Sequence, residues 1–98
     1  MIRVLLPYHL HTLAQCDAEV KIDVKPPYSA SNLIDALEKT FPSLRGAILE
    51  LESRQRRPKI RFFACREDIS HAAMDKPLPD SIVDGDEPFM IVGAISGG

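Results

Sequence analysis

Asp84-Gly85-Asp86-Glu87-Pro88-Phe89-Met90-Ile91-Val92-Gly93-Ala94-Ile95-Ser96-Gly97-Gly98 runs to the last residue of the 98-residue sequence. Its first three residues read as a tight turn, with Gly85 supplying a positive φ at no steric cost. Residues 88–95 are apolar at almost every position. A strand without polar alternation is covered on both faces or sits at the centre of its sheet. Ser96, Gly97 and Gly98 follow directly. Two glycines carry no side chains and have wide backbone freedom, so this peptide can extend through a channel too narrow for any Cβ. A free α-carboxylate on Gly98 has a pKa of about 3.5, so at neutral pH it is ionised and able to attack an electrophile.

Working upstream, residues 60–65 (Ile-Arg-Phe-Phe-Ala-Cys) make another strand, and residues 66–81, which hold Pro77 and Pro79, read as a loop-rich stretch. Residues 54–59 form a basic loop or hairpin edge. The spacing of Leu33, Ile34, Leu37 and Phe41 is that of a helix stripe. Ser29 is its N-cap, with Ser31 as the competitor, and Pro42 stops it. Residues 43–52 are expected to form a second helical piece, capped by Ser43, with Leu44, Ile48 and Leu51 on one side. Residues 19–25 alternate without exception, Val20, Ile22 and Val24 facing a core while Lys21, Asp23 and Lys25 face water. Residues 2–9 read as the first strand, frayed at Pro7, joined to the next through residues 10–18. Strand, strand, helix, strand, short elements and a last buried strand make an α+β chain of the β-grasp type: a mixed sheet packed on one main helix. The long helical crossover lets the last strand lie parallel to the first. The expected core is Val20, Ile22, Val24, Leu33, Leu37, Phe41, Met90 and Val92.

Apolar residues are 45% of the sequence and charged residues 27%, so it reads as one globular domain over residues 1–98 with a flexible Gly-Gly tail. The formal charge of −2 provides no field to recruit nucleic acid or an anionic membrane. No apolar run approaches the ~20 residues of a membrane span, and the N-terminus is no signal peptide, so a cytoplasmic protein is expected. Cys16 and Cys65 have no metal-type spacing and read as free thiols of a reducing compartment. His9 and His11, placed on one face of the first strand, lack further ligands for zinc, so no metal site is expected. Asp75, Asp80, Asp84, Asp86 and Glu87 lack the twelve-residue calcium pattern. Arg54, Arg56, Arg57 and Lys59 lack an interleaved aromatic platform and read as a solvated loop. Nothing resembles a phosphate loop or a nucleophile elbow, so no residue supports an enzyme.

The helix and its stop, Leu33-Ile34-Asp35-Ala36-Leu37-Glu38-Lys39-Thr40-Phe41-Pro42-Ser43-Leu44, the turn Asp84-Gly85-Asp86-Glu87 and the terminal Ala94-Ile95-Ser96-Gly97-Gly98 together resemble the MoaD/ThiS family of ubiquitin-like sulfur carriers over nearly the whole chain. The sequence departs from that pattern at Ala64-Cys65-Arg66-Glu67-Asp68, where many relatives have an Asn-Gly type turn. Its 66–81 stretch is longer than in compact members, and no proline precedes the last residues. The resemblance implies a carrier rather than an enzyme. The Gly98 carboxylate is adenylated by a ubiquitin-activating-like partner, which holds the ATP and Mg²⁺. A sulfur delivered as a persulfide then leaves a thiocarboxylate. A downstream synthase accepts that sulfur for a cofactor or metabolite of molybdopterin or thiamin type. Two other readings are a protein modifier conjugated to lysines through Gly98 and a non-covalent β-grasp interaction module.

One helix covers only one side of the sheet, so apolar residues on the other side form a docking patch. Phe89 and Ile91 are expected on it, with Phe62 or Phe63. A one-residue register change exchanges them for Met90 and Val92.

Overall fold

The computed structural model describes residues 1–93, and at the centre of its sheet lies the last strand, β5 (Phe89–Gly93). The five strands stand in the order β2-β1-β5-β3-β4. Strand β1 (Ile2–Leu5) runs parallel to β5, and β3 (Ile60–Ala64) runs antiparallel to it. Strand β2 (Glu19–Ile22) pairs antiparallel with β1, and the two-residue β4 (Glu67–Asp68) pairs antiparallel with β3. This is the mixed β-grasp sheet expected from the sequence.

The pleat sends alternate side chains to opposite faces. Ile2 and Val4 of β1, Ile22 of β2, Ile60, Phe62 and Ala64 of β3, and Phe89 and Ile91 of β5 all point to the covered face and are buried. Phe62 and Phe89 meet there with ring centroids 5.4 Å apart. The cover is α2 (Ala30–Thr40), whose Leu33, Ile34 and Leu37 are inaccessible to solvent. Leu44, Ile48, Leu49 and Ile82 fill the remaining edges. Helix α2 begins where expected: the Asn32 amide donates to Ser29 Oγ at 3.2 Å, satisfying one of the orphan donors of the first turn. It ends at Phe41, after which Pro42 opens a single 3₁₀ turn, Pro42–Leu44.

Three local expectations are corrected. The first strand stops at Leu5, and residues 8–14 form helix α1 (Tyr8–Ala14). Pro7 occupies its N-cap with φ −69°, and its missing N–H falls where a helix has no partner to offer. Leu10 anchors this helix in the core. His9 and His11 therefore share no strand face; two residues apart on a helix they point about 200° apart. Residues 43–52 are not helical beyond the 3₁₀ turn, because Gly46 takes φ +82°. The chain then folds back on itself, Leu49 bridging to Arg56, and leaves Leu51 exposed. The loop-rich stretch 66–81 contains β4 and the start of a short helix α3 (Asp80–Val83), which leads into the turn where Gly85 has φ +84°. Val24 stays buried beyond the end of β2, so the 19–25 alternation holds although the paired strand is shorter.

Candidate docking face and tail root

The register of β5 with its neighbours decides which of its side chains face away from α2. Leu5 of β1 and Phe63 of β3 both pair with Met90, and Arg61 pairs with Val92. The open face of the sheet therefore carries Leu5, Phe63, Met90 and Val92 in one apolar stripe, with Met90 36% exposed. Phe89 and Ile91, expected here, are 0% and 2% exposed on the opposite face, and Phe62 is buried with them. Met90 and Val92, expected in the core, are on the open face, while Val20 and Phe41 are only half-buried. The reason is parity: an all-apolar strand looks the same from both sides, and only its partners orient it. Two charged residues in those partners carry the missing signal. Arg3 must face water, so Leu5 shares its face; Arg61 must face water, so Phe63 does too.

Charged groups border the stripe. Arg3 pairs with Glu19 at 2.8 Å and also donates to the carbonyls of Gly85 and Asp86, tying β2, β1 and the turn before β5 together. The hydrogen bond from Arg3 holds the Glu19 carboxyl below the usual carboxylate range. On the other side Arg61 lies 3.9 Å from Asp68 and 3.4 Å from the His71 ring. Asp68 is also lowered, chiefly by hydrogen bonds from Ser70. Ser70 is buried, its Oγ accepting from the Phe62 amide at 2.9 Å.

The basic stretch is resolved into three internal ties. Arg54 pairs with Asp35 at 2.6 Å and Glu38 at 3.0 Å, neutralising a carboxylate that is 6% exposed. Arg56 donates to the carbonyl of Ser70 at 3.1 Å, and Arg57 to the carbonyl of Gly46. Arg54 thus braces the 46–57 segment against α2, Arg56 ties it to Ser70, and Arg57 closes it on itself.

Gly93, the last described residue, pairs with Ile60, and the exposed His9 side chain of α1 lies beside it. Ser96, Gly97 and Gly98 lie outside the described residues. Both cysteines are free: burial pushes the Cys16 thiol up, and the exposed Cys65 Sγ lies 3.0 Å from Ser81 Oγ. Among the described residues no cluster of His, Cys, Asp or Glu could hold a metal, and no helix is long and apolar enough to cross a membrane.

Solved structures share this fold. SAMP1 from Haloferax volcanii superposes with a TM-score of 0.76 at 20% identity, over 98% of this chain and 97% of that one. The BexX/CysO complex of Amycolatopsis orientalis matches with a TM-score of 0.77 at 17% identity, over 100% of both chains. CysO of Mycobacterium tuberculosis, described as an antigen, gives 0.76 at 14% identity, over 97% of this chain and 100% of that one. No family model matches the sequence, and no curated protein matches it.

Proposed function

We propose that this chain is a sulfur carrier whose Gly98 carboxylate is the working group. The observation that carries the reading is the place of β5. It is the central strand, it runs parallel to β1 toward the Gly-Gly end of the sequence, and among the described residues its face away from α2 carries exposed Met90 and half-buried Val92, one to three residues before Gly93. A partner gripping that stripe therefore holds the root of the tail. The open-face residues Leu5, Phe63, Met90 and Val92 take the docking role in place of Phe89 and Ile91. A crystal structure of CysO with BexX supports the idea that a chain of this fold docks onto another protein.

The chemistry follows from the carboxylate. Its oxygen attacks the α-phosphorus of ATP in the activating partner, pyrophosphate leaves, and an acyl-adenylate forms. A persulfide sulfur then attacks the acyl carbon and expels AMP. A partner thiol cleaves the resulting acyl disulfide, leaving a thiocarboxylate on Gly98 and a disulfide on the partner. The ATP and Mg²⁺ sites belong to the activating enzyme, and a synthase downstream takes the sulfur for a cofactor or metabolite of molybdopterin or thiamin type.

Incubation with ATP, an activating enzyme and a persulfide donor tests this by intact mass: the expected product gains the increment of sulfur replacing oxygen at the C-terminus. A second reading is favoured by one comparison, since a structural match from Haloferax volcanii is described as small archaeal modifier protein 1. In that case the same incubation with a lysate yields Gly98 linked to lysine amines. An unchanged mass in both experiments rejects both readings.

A further inference from the structure

Strand β2 is an edge of the sheet: among the described residues it pairs with β1 on one side and with no strand on the other. The bond from the Leu6 amide to the Ala18 carbonyl, 2.7 Å, fixes which way its backbone groups point. In an antiparallel ladder, residues directly opposite alternate between hydrogen-bonded and non-bonded pairs. Leu6 lies opposite Ala18, so Val4–Val20 and Ile2–Ile22 are the bonded pairs of the register. The amides and carbonyls of Glu19 and Lys21 therefore point away from β1. The alternation continues with Val24 buried between exposed Asp23 and Lys25, which sends the backbone groups of residues 23 and 25 the same way. Beside residues 23–26 the space toward α2 is an open groove lined by Val24, Pro26, Asn32 and Ala36, so α2 does not close this edge. Outward groups of this kind are a template for another strand.

The side chains at these positions are charged in an order that complements itself. Residues 19–25 read Glu-Val-Lys-Ile-Asp-Val-Lys. Two copies paired antiparallel about a two-fold axis at Ile22 set Lys21 opposite the second copy's Asp23 and Glu19 opposite its Lys25. Each pair occurs twice, because a two-fold contact is isologous. All four residues have outward backbone groups, so both kinds of pair are hydrogen-bonded ones and Ile22 meets its copy as a non-bonded one. On the inner face, half-buried Val20 meets Val24. A slip of two residues destroys the match. In one direction it sets Lys21 against Lys21 and Glu19 against Asp23; in the other, Lys21 against Lys25 and Asp23 against Asp23. Like charges directly opposite are destabilising. Lysine on an edge ordinarily keeps strands apart, but here each one finds a carboxylate in the copy. Among the described residues Lys21, Asp23 and Lys25 form no ion pair, and Arg3 takes only Oε1 of Glu19.

We propose that the free edge of β2 is a homodimerisation surface, a second copy adding its own residues 19–25 antiparallel in the register centred on Ile22. The two five-stranded sheets then run on as one. The stripe on β5 lies two strands from this edge, about 10 Å away. The dimer thus leaves the open faces of both copies uncovered and on the same side. The inference does not depend on the carrier reading. The contact is short, so the association belongs with the weak interfaces that form at high concentration.

Sedimentation of the full chain from micromolar to millimolar concentration tests it, together with amide hydrogen exchange over the same series. The expected result is a reversible dimer whose formation slows exchange at Lys21 and Asp23, while Val20 and Ile22, already bonded to β1, change little. Lys21→Asp and Asp23→Lys should each weaken the dimer about tenfold or more, since each sets like charges opposite twice. The double variant Lys21→Asp with Asp23→Lys exchanges the two charges and should restore the native constant. All three should keep the native unfolding midpoint, because both side chains are exposed. A chain that stays monomeric at millimolar concentration overturns the proposal and leaves the edge to a strand of another protein. A dimer untouched by the single substitutions, or not restored by the double one, overturns the register and the proposal with it. Protection that appears at Leu5, Phe63 and Met90 instead overturns it by moving the contact to the open face.

Discussion

Two exposed carboxylates contribute to how this fold responds to acid. Glu19 is lowered by its hydrogen bond from Arg3, and Asp68 by those from Ser70. Each folded-state pKa lies below the unfolded one, about 4.3 for Glu and 3.9 for Asp. Their contribution is therefore fully present above those values and is lost as pH falls through the folded ones. Thermal unfolding followed from pH 6 down to pH 2 should show the midpoint dropping below about pH 4. Glu19→Gln or Asp68→Asn should flatten that drop, and an unchanged profile in both variants would separate these bonds from stability. Arg54 acts at the same scale. Burial opposes its charge, but its bonds to Glu38 and Asp35 outweigh that. Arg54→Met leaves the Glu38 carboxylate, 6% exposed, without its partner. Urea unfolding should register a loss of about 1–3 kcal/mol, the cost of an unsatisfied buried acceptor. Arg54→Lys should recover part of it.

Elements differed in how far the sequence revealed them, and the difference has physical causes. Helix α2 was legible because three signals agree: the Leu33, Ile34, Leu37 stripe, the Ser29 cap and the Pro42 stop. Helix α1 was hidden, since seven residues behind Pro7 continue a β-rich composition and only Leu10 reaches the core. The 43–52 piece failed at Gly46, whose positive φ diverts the chain from a helix that the apolar spacing alone would allow. Strand β5 was legible as central but not as oriented, because both of its faces are apolar. The docking prediction moves with that correction. Met90→Asp puts a charge on an exposed position of the open face and should weaken affinity for an activating enzyme at least tenfold, with little change in stability. Ile91→Asp buries an unpaired charge beneath α2 and should destabilise the whole chain by several kcal/mol. Calorimetric titration and denaturant unfolding on the two variants check the assignment. If Ile91→Asp folds normally while Met90→Asp unfolds, the faces are the reverse of those described.

At the scale of the whole molecule, the proposed function gives one strand two jobs. Strands rise about 3.3–3.4 Å per residue, so Met90 on the docking stripe lies about 10 Å along β5 from Gly93. The five residues beyond span at most about 17 Å. A partner that covers the open face must therefore keep its reactive pocket within that reach, and the length of the tail becomes part of the recognition. Adding a single alanine after Gly98, or replacing Gly98 by leucine, should abolish pyrophosphate exchange. Binding to the activating enzyme should persist, because the open face is unchanged, and so should the unfolding midpoint, because the buried set from Ile2 to Ile91 is untouched. Binding without chemistry is the outcome that ties the reactive group to the terminus. If the extended chain exchanges as fast as the native one, the activated group is not the Gly98 carboxylate, and the carrier reading loses its chemical basis.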